Sequence, residues 1–255
     1  MVNALKANEL LYLSMLCGAD EVFGIPDVFH GKTEDEIRAF IDETSKSCAE
    51  KSLYIADFEG ENALCDSIGH TIRIIASADI ATELILRNTK SRQQRYLIYS
   101  KGNERAILLE SGGEYFIAEE MDLKKIHTGL QILFAKGCLL QAETDMFTVG
   151  QGELAEIYTG VKVKAAAMRA LMREQCVDEM TALLMSEGLS GRAGYFSGTT
   201  INRVNNRMKT AFFLADSGIV LQLSTDEKRN LNITAAESEA AMQIALSYAG
   251  GDFYV

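Results

Sequence analysis

The stretch KTAFFLADSGIVLQLS (residues 209–224) follows the same plan as RYLIYSKGNERAILLES (residues 95–111), and this likeness decides the fold. Each stretch consists of an apolar run, a short turn that contains glycine, and a second apolar run. This pattern predicts a β-hairpin, because glycine tolerates the positive φ that tight turns require. The sequence therefore predicts two hairpins of the same kind.

Similar runs flank both hairpins, which extends the likeness to two halves of the chain. The runs TELILRN, RYLIYSK, RAILLES and EYFIAEE predict a four-strand meander within residues 81–120. The runs RAGYFSGT, RMKTAFFLA, IVLQLST and LNITA predict a second within residues 192–235. Tyr96 and Thr210 are 114 positions apart (210 − 96), as are Arg105 and Ile219 (219 − 105). A constant offset predicts an internal duplication, and two unrelated meanders with similar hairpin chemistry are the alternative.

Helical periodicity surrounds the two meanders. Helices are predicted over residues 3–17, from residue 33 onward, and over residues 61–77, 122–136, 164–187 and 236–249. Gly18 is placed to end the first helix, and Thr33 and Glu36 have the spacing of a capping box. The stripes expected to face inward include Leu10, Leu13, Leu16 and Cys17; Leu64, Ile68, Ile72 and Ile75; Leu123, Ile126, Leu130 and Phe134; and Ala240, Ile244 and Tyr248.

Together these elements predict an α+β fold. Two pseudo-symmetric halves, each of helix, four-strand meander and helix, would form a central antiparallel sheet flanked by helices. Edge-to-edge joining of the meanders is expected because it halves the number of exposed sheet edges. The expected organisation is an N-terminal half over 1–137, a connection over 138–163 and a C-terminal half over 164–255.

Composition narrows the classes of function. The chain has 25 Lys and Arg against 36 Asp and Glu, a net charge of −11, which argues against nucleic acid or an anionic membrane as a partner. Charged residues interrupt the apolar start of the chain, so an amphipathic helix is expected there and no membrane insertion. Five widely spaced cysteines without a C-x-x-C pair, and no signal peptide, favour a reducing, cytoplasmic location.

The motifs that suggest catalysis or cofactor binding lack the context that this chemistry needs. GQGELA at 150–155 matches a dinucleotide fingerprint, but no βαβ unit follows it. Asp66, Ser67 and His70 lie within one helical turn, whereas a catalytic triad needs an oriented base beside an oxyanion hole. His30, His70 and His127 have no metal-ligand spacing. We therefore expect no enzymatic activity, no cofactor and no metal.

Apolar residues in the predicted connection, and methionines in the helix after it, suggest a surface for an apolar partner. Flexible methionine side chains suit such a surface, although methionine at helical spacing is also typical of a core. The candidate partner-binding residues are Leu139, Leu140, Met146, Phe147, Met180 and Met185.

Three features carry a resemblance to a known family. They are the opening ELLYLSMLCGADEVFGIP, the capped helix TEDEIRAFI, and the strand pairs RYLIYSKGNERAILLE and AFFLADSGIVLQLS. In this order of elements the chain resembles the EspG family of type VII secretion chaperones, including divergent relatives from Gram-positive loci. The likeness covers most of the chain, but it matches no short signature through which binding residues could be transferred.

The resemblance implies a cytosolic chaperone that covers the apolar tip of a helical secretion substrate and releases it for export. It implies a helical-hairpin partner of the WXG, LXG or PPE-like kind and a transient contact with the secretion ATPase. Two other classes stay open: an enzyme or small-ligand protein with its site at the junction of the halves, and a structural subunit that assembles through a free sheet edge.

Overall fold

A computed structural model describes residues 4–56, 62–88, 93–118, 120–134, 147–149, 193–216, 219–225 and 231–250. Within this part of the chain there are five helices and twelve strands. The helices are α1 (Ala7–Leu16), α2 (Glu34–Glu50), α3 (Asp66–Ala76), α4 (Glu120–Phe134) and α5 (Ser238–Ala249). The strands are β1 (Leu5–Lys6), β2 (Tyr54–Ala56), β3 (Asn62–Leu64), β4 (Ile80–Arg87), β5 (Gln94–Lys101), β6 (Glu104–Ser111), β7 (Glu114–Ile117), β8 (Phe147–Val149), β9 (Gly194–Asn202), β10 (Arg207–Asp216), β11 (Ile219–Thr225) and β12 (Leu231–Ala235).

Ten of these strands form one sheet in the order β1-β7-β6-β5-β4-β9-β10-β11-β12-β8, and β2 pairs with β3 in a separate hairpin. The pairs β5–β6, β6–β7, β10–β11 and β11–β12 are antiparallel, as expected for two meanders. The fold is therefore α+β with a central antiparallel sheet, which confirms the predicted class. The order of the meander strands is mirrored about the β4–β9 pair. The internal duplication, and the superposition of the two halves, stay predictions.

The chain divides into two compact units. Unit 1 comprises residues 1–83, 95–121 and 200–208, and unit 2 comprises residues 84–94, 122–199 and 209–255. Strands β4, β5, β9 and β10 contribute residues to both units. The predicted halves, 1–137 and 164–255, divide the chain differently. Most of their predicted connection lies outside the described residues, so that division remains a prediction.

Helix α1 lies at the centre of unit 1, where it packs against α2 and α3. Leu10 and Leu13 are fully buried, as predicted, and Leu11 is buried as well. Leu16 is 37% exposed, so its predicted inward position is wrong. The reason is that α1 has neighbours on two sides, which buries Leu11, and that Leu16 is the last residue of the helix.

A buried carboxylate connects α1 to α2. The side chain of Glu9 is fully buried, and it accepts hydrogen bonds from Lys51 Nζ at 2.7 Å, Ser47 Oγ at 2.7 Å and the backbone N–H of Lys6 at 2.9 Å. Burial alone would raise the pKa of the Glu9 carboxyl, but these hydrogen bonds outweigh it and hold the pKa below its usual value. The ionised form is therefore the one that stabilises the fold.

Turn and cap signals in the sequence are confirmed. The backbone N–H of Thr33 donates to Glu36 Oε2 at 2.8 Å, and the N–H of Glu36 donates to Thr33 Oγ1 at 3.4 Å, which closes the capping box of α2. Gly18 follows α1 with φ +85°, and Gly102 forms the β5–β6 turn with φ +56°. Both lie in the left-handed region that favours glycine.

An arginine holds the loop between α1 and α2 against the sheet. Arg95 on β5 donates to Glu83 Oε1 at 2.5 Å and to Glu110 Oε2 at 3.0 Å, and its Nη2 donates to the carbonyl of Gly24 at 2.6 Å. Tyr99 O–H donates to the carbonyl of Phe23 at 2.7 Å. These hydrogen bonds connect β4, β5, β6 and the loop between α1 and α2 within unit 1.

Unit 2 has an aromatic core. Phe213 makes an edge contact with Phe134 of α4 at 5.7 Å between ring centroids, and Phe196 lies 6.1 Å from both Phe213 and Tyr248. On α5 the buried stripe is Ala241, Ala245, Tyr248 and Ala249, whereas Ala240 is exposed and Ile244 is half-buried. Tyr248 is buried as predicted, whereas the positions of Ala240 and Ile244 are wrong, because alanines occur on several faces of α5 and give little information about burial.

The structure also contains elements that periodicity did not predict. Residues 5–6 form β1 instead of the start of the first helix, and β3 takes the place of the start of the helix expected over 61–77. Strand β2, which pairs with β3, lies where no element was specified. Strand β8 lies in the predicted connection and pairs with β12. These strands have two or three residues each, too few for an alternating pattern to stand out.

Replacement of Glu9 should alter both stability and its pH dependence. We expect Glu9→Gln to lower the free energy of unfolding by about 2 kcal/mol at neutral pH, because buried donors lose a charged acceptor. The contribution of the carboxylate is complete above the pKa of glutamate in the unfolded chain, about 4.3, and is lost as pH falls through the lower folded pKa. Denaturant unfolding at several pH values measures the difference.

Glu43→Gln, at an exposed position on α2, is the control for the loss of a charge. The stabilities of wild type and Glu9→Gln should converge as the solution is acidified. A difference that persists unchanged at low pH would contradict the assigned role of the ionised Glu9.

Candidate functional site

The two faces of β9 differ in exposure, and this difference locates the candidate site. Alternate residues from Gly194 to Asn202 are buried, whereas Tyr195, Ser197 and Thr199 between them are half-buried. A period of two is expected for a strand that has one face against a core. The face that carries Tyr195 is therefore open enough to meet another molecule.

Neighbouring β10 shows the same division between two adjacent phenylalanines. Phe213 is fully buried in the aromatic core, whereas Phe212 points to the other face and is half-buried. The rings of Tyr195 and Phe212 stack with 5.9 Å between centroids and an interplanar angle of 8°. We call this pair, together with Arg87, the Tyr195–Phe212 surface.

Arg87 on β4 fixes the position of Tyr195. Its guanidinium carbon lies 4.7 Å from the centroid of the Tyr195 ring, a cation–π contact, and its Nη2 donates to the carbonyl of Ala193 at 2.6 Å. The phenol of Tyr195 donates to the side-chain oxygen of Gln93. The Nε of Arg87 is buried and has no hydrogen-bond acceptor within the described part of the chain.

Burial determines the protonation state of two groups, the phenol of Tyr195 at the candidate site and the thiol of Cys48 in unit 1. Burial raises the pKa of the Tyr195 phenol, and the charge of Arg87 opposes this only in part, so the phenol stays a neutral donor. Burial also raises the pKa of the Cys48 thiol to about 12.

Most residues predicted to bind a partner lie outside the described part of the chain. These are Leu139, Leu140, Met146, Met180 and Met185. Phe147 is the first residue of β8 and pairs with Ile233 of β12. The structure therefore brings none of the six together in a described site, and their role remains a prediction.

The residues considered for catalysis are separated or exposed. Asp66 begins α3, and His70 on the same helix is solvent-exposed, with its Nε2 3.6 Å from Glu104 Oε1. His30 and His127 are exposed on other segments. Among the described residues no group of three His, Cys, Asp or Glu could hold a metal ion, and no helix is long and apolar enough to span a membrane. The GQGELA motif lies outside these residues.

The sequence did not identify the Tyr195–Phe212 surface. Its partial signal is the alternation in GYFSGTTIN, which places Tyr195 and Phe196 on opposite faces of a strand. The contact with Phe212 depends on which residues of β9 and β10 face each other, and the cation–π contact depends on the pairing of β4 with β9. The alternating pattern within one strand does not indicate how that strand aligns with its neighbours in the sheet.

Comparison with known proteins supports the fold. The sequence matches no protein-family model and no curated protein. Its structure is similar to that of the Mycobacterium tuberculosis type VII secretion system chaperone EspG5, solved in complex with the PE25–PPE41 dimer, with a TM-score of 0.56 and 11% sequence identity. The similarity covers 98% of this chain and 95% of that chain, so it extends over the whole fold.

Truncation of Phe213 should destabilise the protein much more than truncation of Phe212. Phe213→Ala removes a fully buried ring and should lower the free energy of unfolding by about 3–5 kcal/mol. Phe212→Ala removes a half-buried ring from the open face and should cost less than about 1.5 kcal/mol. Chemical denaturation of both variants checks this. Equal losses would show that the face carrying Phe212 belongs to the core.

Proposed function

We propose that this chain is a type VII secretion chaperone, a cytosolic binding protein without enzymatic activity that keeps a helical substrate soluble until export. The observation that carries this proposal is the structural similarity to EspG5 over nearly the full length of both chains. At 11% identity that similarity establishes the fold alone, so the function needs support from the surface of this chain.

The Tyr195–Phe212 surface supplies this support. A stacked aromatic pair gives a flat apolar area at low cost in side-chain entropy, and aromatic residues are common anchors at protein interfaces. Arg87 adds a positive charge beside these rings, because its guanidinium carbon lies 4.7 Å from the centroid of Tyr195. Such a surface suits the apolar tip of a helical hairpin, where side chains meet the rings and terminal carbonyl groups meet the arginine.

The partner that we propose is a helical-hairpin secretion substrate of the WXG, LXG or PPE-like kind. The PPE-like option follows from the EspG5 neighbour, whose partner is the PE25–PPE41 dimer. Release at the secretion machinery would involve a transient contact with the secretion ATPase. We further propose that Leu139, Leu140, Met146, Phe147, Met180 and Met185 contribute to the partner-binding groove.

Co-expression with any helical-hairpin protein that is found to be encoded beside the gene tests this proposal. Tyr195→Ser combined with Phe212→Ser should weaken capture of the partner by about 30-fold or more, as expected when aromatic anchors are lost. Ile132→Ser is the matched control, because Ile132 lies on α4 and is 53% exposed. Affinity purification gives the capture, and a melting curve of each variant gives its stability.

The control should capture the partner as wild type does, and all variants should melt cooperatively. A folded double variant that retains full capture would place the binding surface elsewhere. Met146→Asp with Phe147→Asp then tests the second proposed region, where a loss of a few kcal/mol in affinity is expected. If wild type captures none of the neighbouring hairpin proteins, the chaperone proposal fails.

A further inference from the structure

The turn between β9 and β10 presents two apolar side chains to solvent. Val204 is 77% exposed and Met208 is 66% exposed, the highest values among large apolar side chains in the described part of the chain. Because these two side chains are exposed, their burial does not contribute to the stability of the fold. Their position therefore suggests contact with another molecule.

The turn is held rigid by its own asparagines. The side-chain oxygen of Asn202 accepts from the backbone N–H groups of Val204 at 3.0 Å and Asn205 at 3.2 Å. The side-chain oxygen of Asn205 accepts from the N–H of Arg207 at 3.2 Å, and Asn206 has φ +51°. A turn fixed in this way loses little conformational entropy on binding, so it is pre-organised as a docking element.

The hairpin is positively charged within an acidic protein. Residues 201–215 contain Arg203, Arg207 and Lys209 and no Asp or Glu, whereas the whole chain has a net charge of −11. The Nη2 of Arg203 lies 4.0 Å from Oε1 of Glu21 in the same copy. The backbone N–H of Arg203 donates to the carbonyl of Asp79 at 2.8 Å. Arg207 is exposed next to Met208. The tip thus combines apolar contact with positive charge.

A complementary surface lies on α2. Phe40 is half-buried, and the ring of Phe29 makes an edge contact with it at 5.9 Å between centroids. Glu36 and Glu43 lie four residues before and three residues after Phe40, which places them beside it on the helix surface. Glu36 and Glu43 are both exposed. The Nζ of Lys32 lies 5.4 Å from the centroid of the Phe40 ring. We call Phe29, Phe40, Glu36 and Glu43 the Phe40 patch.

We infer that the hairpin tip of one copy docks on the Phe40 patch of a second copy of this chain. Val204 and Met208 meet the two phenylalanine rings, and Arg207 meets the carboxylate of Glu43. Within one copy neither surface covers the other, because Val204 is 77% exposed and Phe40 is only half-buried. A two-fold arrangement makes the contact twice and closes as a dimer. This inference does not depend on the proposed chaperone function.

Sedimentation velocity of the full chain, from micromolar to several hundred micromolar protein, tests the inference. Wild type should show reversible self-association that weakens at high ionic strength, because the contact includes exposed charges. Val204→Asp with Met208→Asp should weaken the association by about tenfold or more. Ile132→Asp, which places the same charge on an exposed apolar position of α4, should leave it unchanged.

A charge exchange tests the pairing itself and does not require the apolar variant to fold. Arg207→Glu and Glu43→Lys should each weaken self-association when studied alone, because like charges meet in both contacts of the dimer. When the two variants are mixed, association should return to near the wild-type level. A wild-type chain that stays monomeric at every concentration, or a mixture that fails to associate, would overturn the inference.

Discussion

The antiparallel pairing of β4 with β9 is the constraint on which the rest of the structure depends. It joins strands from the two meanders, and its buried centre contains a hydrogen bond between the hydroxyl groups of Thr82 and Thr200 at 2.8 Å. These residues are 118 positions apart in the chain. Each buried hydroxyl satisfies the other, which favours a pairing that keeps the two threonines opposite each other. Because successive side chains on a strand alternate between faces, that register decides which residues of both strands face outward.

The candidate site follows from this register. Arg87 of β4 donates a hydrogen bond to the carbonyl of Ala193, the residue before β9, and contacts the ring of Tyr195 on β9. A slip of one residue would send Tyr195 into the aromatic core and Phe196 to the open face, which would leave a phenol among apolar rings. The core of unit 2 and the Tyr195–Phe212 surface are therefore two consequences of one pairing. Within the described residues, the strands at the two edges of the sheet are short, since β1 has two residues and β8 has three. Short edge strands offer little template for pairing with other chains.

Much of the fold could be predicted because its signals are local. The hairpin with Gly102, the capping box of Thr33 and Glu36, and the buried stripe of Ile68, Ile72 and Ile75 each involve residues close in sequence. The position of Leu16 was wrong, since exposure at a helix end depends on neighbours from elsewhere in the chain. The candidate site was harder to predict, because it depends on contacts between residues that are distant in sequence. Tyr195 and Phe212 form a surface only because their rings stack, and Arg87 is distant from both in sequence. The role of Glu9 was equally hard to predict. Glu9 lies on a predicted helix, but its hydrogen-bond partners are distant in sequence: Ser47 lies on α2 and Lys51 directly follows α2.

Side-chain footprinting of the chain with and without its partner tests the central claim most directly, which is that the open face of β9 and β10 binds the substrate. Hydroxyl radicals report the solvent exposure of individual side chains, so adjacent residues on opposite faces can be compared. The account predicts that Tyr195 and Phe212 are reactive in the free protein and protected in the complex, while Phe213 stays unreactive in both and Ile132 stays reactive in both. Unchanged reactivity of Tyr195 and Phe212 in a complex that contains the partner would contradict it.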